Sequence, residues 1–132
     1  MSGEMDLSEL LRTLSAKLHP ETYVFATVSE VPETISPRMV FVEDEGITLI
    51  CTRDQAAAAG IAYDFPCRMI TCNVHSALEA VGFIAHIASR LAEAGMGVNP
   101  VTGYFHDHLF SPDGRERDAL AVIEAIAQKA QA

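Results

Sequence analysis

Residues 73–111 hold every unusual polar feature of the chain. His75 and Ser76 stand where an apolar strand pattern gives way to a helical one. Asn99 and Thr102 lie on the strand pattern that follows, and His106-Asp107-His108 marks a hairpin. Two chemistries fit these residues. A helix beginning just after His75 presents free backbone N–H groups and the positive end of its dipole, which favour a carboxylate. Ser76 and Glu79 form an S-x-x-E capping box and can satisfy that end themselves, and Glu79 would repel an anion. The residues alone leave both arrangements open. The second chemistry is a metal site. His106 and His108 are two apart, so an unbroken strand aims both at one face, where His75 could approach them. Three imidazoles suit zinc, with Asp107 orienting a ligand from behind. A turn at His106-Asp107 would instead split the pair, leaving His108 to cap a strand and Asp107 in an Asx-turn. A nucleophile has less support. There is no G-x-S-x-G, no cysteine in an electropositive setting and no glycine-rich phosphate loop.

The elements that must position these groups follow from periodicity. Leu7, Leu10, Leu11, Leu14 and Leu18 recur at helical spacing, with Asp6 and Glu9 as a cap, and His19-Pro20 is expected to end that helix. Residues 23–28, 38–42 and 47–52 are β-branched and aromatic, and the last two flank Glu43-Asp44-Glu45-Gly46 as a hairpin. Its acids could hold a cation only if more oxygens were fixed around it. Thr52 and Gln55 resemble a capping box for a short helix that Gly60 stops. Residues 62–66 read as a connector and 68–74 as a strand buried on both faces. A long helix is expected from Ser76 to Gly95, with Glu79, His86, Arg90 and Glu93 on one polar stripe. Gly82 within it would cost about 1 kcal/mol relative to alanine unless something approaches closely. Residues 97–105 are expected to form a strand that Pro100 makes an edge strand, a bulged one or one paired irregularly at that point. Residues 109–111 pair back, and a last helix covers 115–130 with Leu120, Val122, Ile123, Ile126 and Ala127 inward.

The order is therefore αβββα followed by βαββα. The second half has the order of a βαββαβ module but lacks its closing strand, and the first half has one to spare. Halves at 1–62 and 63–132 are expected to complete each other's sheets as one folding unit, with residues 23–28 contributing to the second.

Composition sets outer limits. The chain has 132 residues, 49% hydrophobic and 20% charged, enough for a real core. Its 18 acids against 9 bases give a net charge of −9, with no basic stripe, so nucleic acid and anionic membrane are poor partners. No apolar run approaches the roughly 20 residues of a membrane helix, and the N-terminus lacks a signal-peptide pattern, so a cytoplasmic location is expected. Cys51, Cys67 and Cys72 are odd in number and lie in apolar strand contexts, which suits buried thiols better than disulfides.

The segment VHSALEAVG (residues 74–82), with GMGVNPVTGYFHDHLFSP (95–112), resembles a family of small two-module bacterial ACT-domain proteins, and YVFATV and DEGITLI are similar to it as well. The resemblance implies an α+β fold of two intertwined ACT-like, ferredoxin-like modules with antiparallel sheets and helices on one face. It implies a non-catalytic regulatory protein, without a cofactor, that binds an amino acid or similar small carboxylate where modules meet. His75, Ser76, Ala77 and Leu78, with Gly82 permitting close approach, would then face Asn99, Val101 and Thr102 of a neighbouring module. His106, Asp107 and His108 would be additional contacts. ACT-like sheets pair edge to edge, so a homodimer is expected through the edge beside Pro100. A pure interaction module is the remaining alternative. Ala77, Pro100, Thr102 and Ser111 depart from the family pattern, which bears on the ligand rather than the fold.

Overall fold

The computed structural model describes residues 3–132. Its elements run α1 (Leu7–Arg12), β1 (Ala16–Val28), β2 (Met39–Glu43), β3 (Gly46–Thr52), α2 (Arg53–Ala58), β4 (Asp64–Cys72), α3 (Phe83–Glu93), β5 (Asn99–Thr102), β6 (Asp107–Pro112) and α4 (Glu116–Gln131). This is the αβββα–βαββα order expected from periodicity. The chain forms two compact units. One takes the chain up to His19 and from Arg68 onward; the other is Pro20–Cys67. Strands β1 and β4 contribute residues to both.

In the first unit the strands are ordered β1 (16–19), β4 (68–72), β6, β5. Helix α3 buries Phe83, Ile87 and Leu91, spaced four apart, and α4 buries Ala119, Ile123, Ile126 and Ala127. These meet Leu10 and Leu14 from the N-terminal segment and Ile70, Cys72 and Leu109 from the sheet in one core. Each buried Leu or Ile contributes about 1.5–3 kcal/mol relative to exposure. Met69, Thr71 and Phe110 alternate with those strand residues and are buried as well. Residues 69–72 of β4 and 109–111 of β6 are therefore buried on both alternations of the strand, with Thr71 and Ser111 as the polar members. β5 pairs antiparallel with β6, from Asn99↔Phe110 to Thr102↔Asp107, and among the described residues has no further neighbour. Pro100 lies on that edge strand, where its missing N–H costs least.

The second unit orders β2, β3, β1 (20–28) and β4 (64–67). β2 and β3 make a hairpin closed by Asp44 and Glu45, with Glu43 opposite Gly46. Thr52 caps α2 by accepting from the Gln55 N–H at 3.2 Å. Val24, Ile35, Cys51 and Ala56 form the small core beneath it.

Four expectations are corrected. The first helix ends at Arg12, and His19-Pro20 lies inside β1. Leu18 and Ala16 pack on the core two apart, so the spacing from Leu14 to Leu18 served strand alternation rather than another helical turn. The connector expected at 62–66 is in part the start of β4, with Pro66 inside it. The strand expected to 74 stops at Cys72. Helix α3 starts at Phe83, not at Ser76. Gly82 is its N-cap with φ of 93°, a left-handed conformation that a continuous helix cannot pass through. Glu79 therefore lies outside the helix, and the polar stripe reduces to His86, Arg90 and Glu93.

Candidate functional site

The first unit gathers its polar groups around one carboxylate. Asp107 opens β6 opposite Thr102, and only 2% of it is exposed. Its Oδ1 accepts from the Thr102 hydroxyl at 2.5 Å and its Oδ2 from the Ser76 hydroxyl at 3.2 Å. A buried carboxylate is costly without such donors, so the two hydroxyls hold it and are held by it. Asp107 is thus a strand residue, not the Asx-turn residue of a hairpin tip. The turn comprises Gly103 to His106, where the Gly103 N–H donates to the His106 carbonyl at 2.9 Å. Burial, and secondarily the charge of Asp107, push the Cys72 thiol up to about 12. It is an inert core thiol rather than a nucleophile.

Beside this group runs a chain of side-chain hydrogen bonds. The Thr71 hydroxyl lies 2.8 Å from His19 Nε2 and 2.9 Å from His108 Nδ1. Arg68 donates to the His19 carbonyl from Nε at 3.2 Å and Nη2 at 2.9 Å, fixing β1 against β4. The His106 and His108 rings stand 6.4 Å apart. With His108 Nδ1 engaged by Thr71 and Asp107 by two hydroxyls, their polar atoms serve the protein itself. Among the described residues no three His, Cys, Asp or Glu side chains converge to hold a metal.

The loop from His75 to Gly82 is held from the other side by the chain start. The Glu4 N–H donates to the His75 carbonyl at 2.7 Å, and the Ala77 N–H donates to the Glu4 carbonyl at 2.9 Å. Gly3 is required for this approach, because a Cβ there would stand 2.6 Å from the Ala77 nitrogen. The Ala77 amide is thereby used, and the Ser76 hydroxyl is used by Asp107, so the S-x-x-E signature makes no helix start. Ala77 is buried, whereas Leu78 and Val81 are exposed. His75 is half-buried, its ring 5.5 Å from that of Phe105 and 6.3 Å from that of Tyr104. Both aromatics are 61% exposed. Asn99 begins β5, exposed, and Val101 lies half-buried opposite His108.

Of the residues singled out in the sequence, Ser76, Thr102 and Asp107 meet directly. His75 lies beside the 103–106 turn, and His106 closes that turn. Gly82 lies elsewhere, at the start of α3, where a Cβ would be 3.5 Å from Leu7. Tyr104, Phe105, Thr71 and Glu4 are not among the residues whose type and spacing point to a site. Two adjacent aromatics in a turn have no apolar periodicity to serve, and that was a signal available in the sequence. Glu4 carried none.

The family model described as ACT domain matches residues 2–68. No curated protein matches the sequence. Among solved structures, a Vibrio cholerae protein of unknown function, described as a possible transport protein, is 37% identical over 92% of this chain and 96% of that one, with a TM-score of 0.84. An Agrobacterium tumefaciens protein is 16% identical over 86% of this chain and 89% of that one, at 0.72. The ligand-free regulatory subunit of aspartate kinase from Thermus thermophilus is 11% identical over 84% of this chain and 95% of that one, at 0.64, a likeness of fold. No helix among the described residues is long and apolar enough to cross a membrane. With half of the sequence matched by that model, and the same α+β architecture around it, the chain belongs to the ACT domain family.

Proposed function

We propose that this protein is a non-catalytic, cytoplasmic sensor that binds an amino acid or similar small carboxylate at a seam between ACT modules, in a homodimer. One observation carries the reading: the buried Asp107 carboxylate is held by the Ser76 and Thr102 hydroxyls, and the loop and turn that carry this group also expose Leu78, Val81, Tyr104 and Phe105. Water-facing aromatics beside an ordered carboxylate make half of a binding site, and the edge strand β5 offers Asn99 and Val101 to complete it against a second module. In this arrangement His75 and Asn99 supply N–H donors to the ligand carboxylate, and the charge of Asp107 favours its ammonium. Ala77 and Leu78 form the loop wall, and Gly82 ends the loop. His106 and His108 lie behind the turn as supporting contacts. ACT domains are regulatory units, and an aspartate kinase regulatory subunit shares the fold, which agrees with sensing rather than catalysis.

A thermal-shift screen of the common amino acids tests the reading. One or more ligands should raise the melting temperature, and Ser76→Ala and Asn99→Ala should each reduce that shift. A flat response to the whole set would overturn ligand sensing and leave an interaction module.

A further inference from the structure

We infer that the helical face of the first unit carries a second binding site, for an amphipathic monoanion: an apolar chain ending in a carboxylate. A cleft of about 420 Å³ opens where α1, α3 and α4 meet. Leu11, Val122 and Ile126 supply its apolar wall. His86 and Arg90, one helical turn apart on α3, and Lys129, in the last turn of α4, stand on its rim.

Three features select the ligand class. The size falls within the range of small-molecule sites, roughly 300–1,000 Å³. The wall is aliphatic, so it gains from an apolar body and offers nothing to a sugar or a nucleotide. The rim collects basic groups in a chain with 18 acids against 9 bases. Arg90 shares Nη1 with Glu93 at 2.9 and 3.1 Å, which leaves the rest of its five-donor fork available. Lys129 has no carboxylate within ion-pairing distance among the described residues. A free amino acid fits poorly, because its ammonium would meet the same basic rim. The cleft and the loop site described above therefore take different molecules.

Isothermal titration of the full-length, delipidated protein with monomeric decanoate tests the assignment, with decanol as the uncharged control. Decanoate should bind, and decanol should bind about tenfold more weakly, the equivalent of one charge-assisted hydrogen bond. Lys129→Ala should reproduce that loss for decanoate. Ala125→Trp, on an exposed α4 position lining the cleft, should abolish binding by filling it while the circular dichroism stays native. Absence of decanoate binding, or equal affinity in Ala125→Trp, would overturn the inference. So would a change of oligomeric mass in Ala125→Trp without decanoate binding, which would assign the cleft to a second copy of the chain.

Discussion

Two hairpins in this protein use the same parts differently. β2–β3 is closed by two residues, Asp44 and Glu45, and keeps its acids at the tip. Glu43, at the end of β2, accepts from the Thr48 hydroxyl. β5–β6 is closed by four residues, Gly103 to His106, and the aromatic pair occupies its tip while the acid is drawn into the strand. The longer turn places Asp107 opposite Thr102, within reach of Ser76 from another loop. A tip carboxylate is solvated and exchangeable. A strand carboxylate with two hydroxyl partners is an organising group, and the apolar side chains it displaces become the outward surface.

The contrast breaks first if β5–β6 can stand without the chain start. A fragment of residues 61–132 keeps that hairpin, α3 and α4. It loses Leu10 and Leu14 from the core, the Ser15 carbonyl that accepts from the Asn73 N–H at 2.8 Å, and the Arg12 carbonyl that accepts from Gln131 Nε2 at 3.0 Å. Two buried leucines alone are worth about 3–6 kcal/mol, against a typical net stability of about 5–15 kcal/mol. The fragment should therefore show no cooperative unfolding transition in denaturant. A sharp transition would mean that the hairpin and its helices support themselves.

Substitution of the acids sharpens the comparison. Asp107→Ala removes the partner of two hydroxyls and should cost about 1–3 kcal/mol in urea unfolding. Glu45→Ala, at the solvated tip, should stay within about 0.5 kcal/mol of the parent. Equal effects would show that Asp107 is no more structural than a surface acid, and would remove the support for the loop site beside it.

The element order was legible because it rests on apolar periodicity within short windows. Phe83, Ile87 and Leu91 declare a helix on their own, and the short apolar, β-branched stretch Met69–Cys72 declares the strand β4. What misled was local chemistry with distant partners. Ser76 and Glu79 have the letters of a capping box, but the Ser76 hydroxyl answers to Asp107 and the Ala77 amide to Glu4. Gly82 looked like a weak point within a helix and is its boundary, since positive φ is invisible until the backbone is seen. The histidines drew attention toward metal chemistry because they are two apart. Thr71, from a strand far away in sequence, engages His108 instead. Tertiary hydrogen bonds of this kind leave no trace in spacing, so the region of the candidate site was legible and its wiring was not.

The smallest expected effect separates two buried thiols. Cys51, on β3 in the second unit, is raised by burial alone, whereas Cys72 is raised by burial and then by Asp107. In both cases the folded value exceeds the unfolded one, so the folded state holds its proton more tightly. Stability from this source is intact below the ordinary thiol value near 9 and falls as pH rises toward about 12. Asp107→Asn keeps the shape of the side chain and removes its charge, so it should lower the Cys72 value slightly and flatten the alkaline loss of stability. Unfolding midpoints measured in parallel across pH 8 to about 11 for the parent and Asp107→Asn would show this as converging curves. Curves that stay parallel would mean that the carboxylate acts on its hydroxyl partners alone, and that its charge does not reach the core behind β6.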